Sequence, residues 1–374
     1  MLSEIQIILI NAAIFFGHYV IISSALNFQF GNAGIPNMAS NVSVAVGAYT
    51  VSAVVIRICM FLGRRAGLVF GQNWVYDNPG NVKMLNTFFN QKPLLSISLF
   101  LLSLALAFIL GSATGWVLGV LSGKLRATRL MIFLLIISEA VGLIAANNTG
   151  IAGGTLGAFI PNFFIWYKGE RMAIIAIVIL TIGLFCYLIM RTMVNSPYGR
   201  LMRAVRDNEI TLESTGKHVA EVRSGVMMFG SGIMAISGVL LTYYYSFVQH
   251  NMYDRVAYTF WPWLMITIGG LANNAGGYMG TLVCVAIIKS LAVSKRYLGP
   301  LLIGTKLIRL IGYLEDIILA TLLIIFLIKK PRGLVPEKNL RIKGIRYNEI
   351  ISDKISNFSS FGSLSRGRPD GEED

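Results

Sequence analysis

The 374-residue chain is poor in charged residues. Asp, Glu, Lys and Arg make up only 13% of it, whereas 55% of its residues are hydrophobic. A typical soluble domain carries roughly 25% charged residues. The mean hydropathy of +0.66 and several charge-poor runs of about 20 residues therefore exclude an ordinary soluble protein and predict an integral membrane protein.

The chain also lacks the patterns of common metal and nucleotide sites. Its cysteines, Cys59, Cys186 and Cys284, each lie inside an apolar run without a CxxC pair, so we expect small buried side chains. Only three histidines occur, and neither H-E-x-x-H nor G-x-x-x-x-G-K-[ST] is present. We expect the chain to bind no metal and no cofactor, and any ATPase activity to belong to another polypeptide.

The net charge of +14 does not indicate a nucleic-acid partner. The basic residues flank apolar runs, where Lys and Arg contact lipid headgroups and set the orientation of a membrane protein. No compact basic face with interleaved aromatic residues occurs. We therefore expect contact with membrane lipid and none with nucleic acid.

The apolar runs predict an all-α polytopic bundle of about nine transmembrane helices, within a range of eight to ten. The approximate crossings are 5–26, 42–62, 94–122, 128–146, 172–194, 225–249, 256–272, 276–294 and 313–330. Helices are required because lipid cannot satisfy exposed backbone groups. The run 94–122 is long enough to tilt strongly or to break near Gly111 or Gly115. Glu4, rather than a basic segment, precedes the first run, which favours a retained crossing over a signal peptide.

Basic loops set the expected orientation. The loops 124–129, 196–223 and 329–332 carry several Lys or Arg each and are expected in the cytoplasm. Nine crossings then place the N-terminus outside and the C-terminus in the cytoplasm. Arg64 and Arg65 go against this topology, because they border a loop that it places outside.

Composition divides the chain into a transmembrane domain, 1–335, and a cytoplasmic tail, 336–374. The tail is rich in Ser, Gly and charge, and its last ~20 residues are expected to be disordered. The segment 63–93 mixes turn residues with aromatics and is expected outside the membrane, either as a small folded cap or as irregular surface.

The segment 196–223 is the only long, densely charged stretch between two strongly apolar ones. Its acids nearly balance its bases, and Leu201, Met202, Val205 and Leu212 recur within it at roughly helical spacing. Ser196-Pro197 is typical of a helix start and Gly216 of a helix end. The pattern favours a helix that docks on a cytosolic protein over a merely solvated basic loop.

Two uncharged stretches rich in Gly and Asn, 27–37 and 268–277, interrupt the apolar pattern. Each predicts either a broken or re-entrant helix beside a substrate path or a simple turn between crossings. The residues that we assign to the translocation path are Gly31, Gly34, Asn37, Gly47, Tyr49, Glu139, Gly269, Gly270 and Asn273.

Glu139, Lys289, Arg57 and His18 are ionisable residues that the pattern places in the membrane. Charges inside a membrane are costly and usually face a partner or a cavity. Lys289 and Arg57 lie near predicted ends and are expected to reach towards the headgroups. For Glu139 we favour pairing within the protein over contact with substrate. It would be the titrating group if the chain were an ion- or proton-coupled secondary transporter.

Five blocks of the chain, in order, resemble the permeases of branched-chain amino acid ABC transporters. The blocks are 34–50, 125–154, 196–216, 264–280 and 330–334. The resemblance implies a permease subunit of an ABC importer that translocates its substrate by alternating access. It also implies a second permease subunit, ATP-binding subunits that use ATP-Mg, and an extracytoplasmic substrate-binding protein.

The resemblance further implies which residues engage the ATP-binding subunit: Arg200, Arg203, Arg206, Glu209, Glu213 and Gly216. The implied substrate is a branched-chain amino acid or a related small solute, since the family includes urea and short-amide permeases. The alternative is a secondary transporter that acts without an ATPase. A membrane enzyme is less favoured, because no polar catalytic cluster is present.

Overall fold

A computed structural model describes residues 4–73, 75–123, 125–298, 307–330 and 333–337, with side chains except at 296–298 and 307–316. These residues belong to one compact unit that ends at Glu337. Lys124, residues 331–332 of the closing block and the predicted tail after Glu337 lie outside the described residues.

The described residues are predominantly helical. The helices are α1 (Glu4–Leu26), α2 (Ser40–Thr50), α3 (Ile56–Arg65), α4 (Asn78–Asn90), α5 (Pro93–Ser122), α6 (Ala127–Asn147), α7 (Thr149–Ala152), α8 (Arg171–Asn195), α9 (Pro197–Asp207), α10 (Glu209–Ser214), α11 (Val219–Tyr245), α12 (Trp261–Gly269), α13 (Asn274–Leu298) and α14 (Leu307–Lys329). Turns of π-helix follow α1 (Asn27–Asn32), join α2 to α3 (Val51–Val55) and precede α12 (Val256–Phe260). Two short antiparallel strands, β1 (Ala158–Phe159) and β2 (Phe247–Val248), pair with each other.

Seven helical stretches among the described residues are long and apolar enough to cross a membrane. They are Glu4–Asn32, Ser40–Arg65, Pro93–Ser122, Ala127–Asn147, Arg171–Asn195, Val219–Tyr245 and Asn274–Lys295. The predicted all-α polytopic fold is confirmed. Two further predicted crossings are not among these seven stretches: α12 with the π-helical turn before it spans Val256–Gly269, and in α14 the stretch Ile317–Lys329 forms a shorter apolar helix. The count of nine and the orientation of the termini therefore stay predictions.

Helix α11 lies at the centre of the bundle and packs against α1, α2 and α5. Its closest neighbour is α5, which presents Gly111, Gly115 and Gly119 at intervals of four residues, and so on one side of the helix. A Cβ on Gly115 would lie 2.5 Å from the carbonyl oxygen of Met227. Small residues of this kind let two helix backbones approach closely inside a membrane.

The break suggested near Gly111 or Gly115 does not occur, since α5 runs as one helix of 30 residues. The two glycines are explained by helix contact instead. All three cysteines are free and buried, as predicted.

The connections gather at two ends of the bundle. The loop end contains 66–92, 148–170 and 246–255, where α4 packs on β1 and β1 pairs with β2. The coupling end contains α9, α10 and the turn 270–273. The arrangement follows from the helix order, because successive crossings return the chain to alternate ends.

The predicted cap within 63–93 contains a real helix, α4. Asn78 anchors it by accepting a hydrogen bond of 2.7 Å from the backbone N–H of Phe159. Asn86 in the same helix accepts another of 2.8 Å from the N–H of Asn162. The segment is therefore folded rather than irregular, and its side of the membrane stays a prediction.

Candidate functional site

The charged segment 196–223 folds as two short helices, α9 and α10, followed by the first turns of α11. The Ser196 hydroxyl caps α9 by accepting from the N–H of Tyr198, with Pro197 in the first turn, as the sequence predicted. Asn208 then adopts an extended conformation, and its side chain caps α10 by accepting from the N–H of Thr211. An Asn that satisfies the N–H groups of a new helix ends the preceding one. Gly216, at φ 79°, follows the end of α10.

Helix α9 lies with its apolar side on the bundle. Met202 and Val205 are buried, whereas Arg200 is exposed and Arg203 is half-buried. On α10 no residue is buried, and the Ile210 side chain is 80% exposed. The segment therefore presents a largely charged outer surface with one large exposed apolar side chain, Ile210.

Arg206 connects this segment to the membrane domain. Its Nη1 donates to the carbonyl oxygen of Gly31 at 2.7 Å. The same guanidinium holds both carboxylate oxygens of Glu337 at 3.2 and 3.1 Å. Its Nε contacts Asp207 at 3.1 Å. Partial burial alone lowers the pKa of Arg206, but the hydrogen bonds and charges of Glu337 and Asp207 raise it above its usual value. The group stays charged.

A second arginine ties α10 to the bundle. Arg223, in the first turns of α11, contacts a Glu209 carboxylate oxygen at 3.0 Å. It also donates to the carbonyl oxygen of Ser122 at the end of α5, at 3.1 Å. Glu209 therefore has an internal role, whereas Glu213 on the same helix is exposed.

Helix α1 is broken where the sequence suggested a broken helix or a turn. It passes into a π-helical turn that contains Gly31, and irregular chain follows over 33–39. The Gln29 amide donates to the carbonyl oxygen of Met227 at 3.2 Å and accepts from Asn37 Nδ2 at 2.9 Å. Buried amides of this kind replace the backbone bonds that a break leaves unmade.

The other early path residues are packed against protein. A Cβ on Gly47 would overlap the carbonyl oxygen of Ala235 in α11. Tyr49 is 7% exposed and contacts the ring of Tyr253 edge-on at 5.9 Å. Gly34 lies against Arg206, whose Cγ would be 3.0 Å from a Cβ there. Their assignment to a translocation path stays a prediction.

The late glycine block forms a tight turn between α12 and α13. Asn273 Oδ1 accepts from the N–H of Ala275 and so caps α13, and its Nδ2 donates to Pro336. The N–H of Ala272 donates to Asn27 Oδ1 at 2.9 Å. This bond joins the turn to the broken end of α1. The structure therefore brings together the two Gly/Asn stretches that the sequence singled out.

The closing segment 333–337 lies along this turn. The N–H of Leu334 donates to Ile268 at 2.8 Å, and the N–H of Val335 donates to Gly269 at 2.9 Å. The segment then ends at Glu337 beside Arg206. Four parts of the chain thus meet at the coupling end: the broken end of α1, α9, the turn 270–273 and the closing segment.

A model of the permease component of the branched-chain amino acid transport system matches residues 8–327. The chain belongs to this family. A probable branched-chain amino acid transport permease protein LivM of Methanocaldococcus jannaschii is 35% identical to it over 327 residues, which is 87% of this chain and 92% of the relative. A high-affinity branched-chain amino acid transport system permease protein LivM of Salmonella typhimurium is 22% identical over 336 residues, 82% of this chain and 73% of the relative. No solved structure matches the chain.

Family membership confirms the resemblance found in the sequence. The chain is a permease component of a transport system and a multi-pass membrane protein. A secondary transporter is therefore not favoured. Glu139, its expected titrating group, pairs with Arg255 at 3.1 Å, and the two side chains are 60% and 42% exposed. This geometry shows the internal pairing that we favoured.

Sequence reasoning missed two residues of the coupling end. Glu337 was placed in the tail, yet it forms the ion pair with Arg206. Its position shortly after the closing block was the available signal. Ile210 is not among the predicted coupling residues, because an apolar residue in a charged amphipathic segment is normally expected on the buried side. Only the structure shows that it points away from the bundle.

Proposed function

We propose that this chain is a permease subunit of an ATP-binding-cassette importer for branched-chain amino acids. The family and the names of its relatives support this proposal. Separate ATP-binding subunits hydrolyse ATP-Mg, and a second permease subunit and an extracytoplasmic substrate-binding protein complete the importer. The chain itself binds no cofactor. The surface formed by α9 and α10 receives the ATP-binding subunit.

The contacts of Arg206 carry the mechanistic part of the proposal. A displacement of α9 by the ATP-binding subunit moves Gly31 through a hydrogen bond to a charged donor, a class of bond that is stronger than a neutral one. The same displacement moves the closing segment through Glu337. The end of α1 and the closing segment both contact the turn 270–273, so their movement displaces it. In alternating access, this shift opens the path on one side of the membrane and closes it on the other.

Two buried amide atoms near the break support a zwitterionic substrate. Within the described part of the chain, Asn27 Nδ2 and Asn32 Oδ1 are buried without a hydrogen-bonding partner. One is a donor suited to a carboxylate and the other an acceptor suited to an ammonium group. We propose that they bind these groups when the break opens. Neutral dipoles fit a substrate that has no net charge.

The variant Arg206→Gln tests the transmission. It removes the charge that holds Gly31 and Glu337 but leaves the exposed surface of α9 and α10 in place. We expect the ATP-binding subunit to co-purify and to hydrolyse ATP, while transport per ATP falls roughly tenfold or more, as expected for loss of a hydrogen bond to a charged group. Reconstituted vesicles loaded with ATP, with labelled leucine and the substrate-binding protein outside, report both rates.

Two matched variants separate transmission from docking. Arg200→Gln removes an exposed charge of α9 and should weaken co-purification of the ATP-binding subunit. Arg191→Gln removes one exposed charge from α8, before the segment, and should change neither property. Unchanged coupling in Arg206→Gln would contradict the proposed transmission. A chain that drives uptake without any ATP-binding subunit would contradict the proposed function itself.

A further inference from the structure

The exposed side of α3 carries a pattern that transport does not explain. Arg57, Phe61 and Arg64 are exposed, and their spacing places them on one side of the helix. Arg65 stacks on the Phe61 ring, with its guanidinium carbon 4.8 Å from the ring centre. Arg64 and Arg65 are the residues that went against the orientation set by the other basic loops. The presence of Arg64 and Arg65 at this end of the bundle therefore needs an explanation other than membrane orientation.

Two adjoining grooves flank these side chains. One has a volume of about 390 Å³ and is lined by Ala53, Val54, Arg57, Ile58 and Phe61. The other has a volume of about 260 Å³ and is lined by Arg57, Met60, Phe61, Arg64, Gly71 and Gln72. The first, the apolar groove, is almost wholly apolar, and the second, the polar groove, has a larger polar share from Arg57, Arg64 and Gln72. Arg57 and Phe61 belong to both, so the grooves form one continuous double groove.

The double groove has a defined direction relative to the membrane. Arg57 Nη2 donates to the carbonyl oxygen of Gly150 at 2.9 Å, just beyond the last residue of α6, Asn147. Arg57 therefore lies where the α6 crossing ends. The apolar groove extends from there towards the middle of the Ser40–Arg65 crossing, and the polar groove extends towards the loop end. Along one helix, the surface changes from apolar to cationic.

We propose that the double groove binds one anionic glycerophospholipid, with its phosphate between Arg57 and Arg64 and an acyl chain along Val54 and Ile58. A guanidinium carries five N–H donors, so Arg57 can hold the Gly150 carbonyl and a phosphate oxygen together. Within the described part of the chain the Arg64 guanidinium has no hydrogen-bonding or ionic partner. No lining residue is acidic. The nearby Asp77 accepts from the N–H of Asn73 instead.

A membrane lipid fits this surface better than a soluble partner does. The apolar groove lies within a crossing, where only lipid or another transmembrane helix can reach it. Basic pockets beside transmembrane helices also bind anionic headgroups. The lipid would supply the anion that compensates two arginines beside a bilayer. This accounts for Arg64 without any change to the expected topology.

Native mass spectrometry of the full-length chain with its partner subunits tests the proposal. The complex is titrated with dioctanoyl phosphatidylglycerol, dioctanoyl phosphatidylcholine or inorganic phosphate. We expect one saturable phosphatidylglycerol molecule, bound more tightly than the other two ligands. The double variant Arg57→Gln/Arg64→Gln should weaken this binding by roughly thirtyfold (about 2 kcal/mol), because each basic residue near the surface contributes about 1 kcal/mol.

The control pair Lys83→Gln/Lys92→Gln removes the same charge from exposed positions at the same end of the bundle and should leave the bound lipid unchanged. If loss of the Arg57–Gly150 bond prevents folding, Arg64→Gln alone replaces the double variant in the titration and should also weaken lipid binding. Val54→Asn should weaken the lipid but not inorganic phosphate. Equal loss in both double variants would overturn the proposal, as would phosphate binding as tightly as the lipid. So would unchanged lipid binding combined with loss of affinity for a soluble substrate-binding protein.

Discussion

Glycine residues line two contacts in this molecule and have different roles in each. The first contact, the α5–α11 interface, is formed by Gly111, Gly115 and Gly119 on α5 and by small residues on α11. The glycines lie within one unbroken helix, and none of them has a positive φ. The neighbours of these three glycines on α11 are uncharged, whereas Arg223 contacts α5 at its last residue, Ser122. The interface resembles the close helix contacts by which membrane proteins replace the hydrophobic effect with van der Waals packing.

The second contact, the coupling-end junction, joins the turn 270–273, the closing segment and Arg206. Here Gly270 and Gly333 have φ values of 119° and 77°, which side chains other than hydrogen rarely permit. Ion pairs and backbone bonds between segments far apart in sequence hold the junction together. Such bonds can be exchanged as segments shift, whereas interlocked helix backbones cannot. In the proposed mechanism, the first contact stays rigid and the second is the joint that moves.

The largest effect should come from breaking the interface. Gly115→Val would place a side chain against the Met227 carbonyl and Ser231. Overpacking of this kind costs about 1–3 kcal/mol, and more where backbone must move. We expect loss of folded protein, measured as a lower melting temperature and less monodisperse material in detergent. Gly142→Val is the matched control, since nothing lies within 4 Å of its Cβ position in α6. Equal losses would show that the interface has no special rigidity.

An intermediate effect should come from the junction. A Cβ on Gly333 would lie 2.5 Å from Gly270 Cα, so Gly333→Ala both strains the backbone and displaces the turn. The backbone strain alone costs about 1–2 kcal/mol. We expect folded protein with most of its ATP-driven uptake lost. Gly67→Ala shares the strain, at φ 90°, but has no neighbour within 4 Å and should transport normally. A transport defect in both variants would assign the loss to strain rather than to the junction.

Local signals in the sequence were sufficient for much of this architecture. Charge-poor runs located the seven long crossings, and Ser196-Pro197 located the start of α9. The sequence did not show that Asn208 would divide the segment, because an Asn among charged residues is compatible with a helix interior as well as with a cap. It also left a break near Gly111 or Gly115 open as an alternative to a tilt for the long α5, which has no break. A glycine that breaks a helix and a glycine that allows a neighbouring helix to pack closely give the same signal in the sequence.

The candidate site was predictable only in part. The sequence separated the two Gly/Asn stretches by over 200 residues, and nothing in their composition showed that Ala272 would bind Asn27. The pairing of Arg206 with Gly31 and Glu337 also depends on tertiary structure. The charge pattern indicates that the segment 196–223 docks on a cytosolic protein. It does not show which charges of the segment face inwards.

The smallest effect should come from Glu337→Gln. The pair with Arg206 is partly exposed, at 25% and 39% of the two side chains, and exposed pairs contribute about 0–1 kcal/mol. The variant keeps the Arg206 bond to Gly31. We therefore expect a drop of a few-fold at most in transport per ATP at low salt, and a smaller drop at high salt, where screening already weakens the pair.

A double-mutant cycle makes this small effect decisive. If Glu337 acts only through Arg206, Glu337→Gln should add nothing in the Arg206→Gln background, and the coupling energy should equal the single effect. Additive losses would mean that the closing segment transmits movement by its backbone bonds to Ile268 and Gly269 instead. The backbone hydrogen bonds of the closing segment would then transmit the movement, and the Arg206–Glu337 ion pair would only stabilise the position of Glu337.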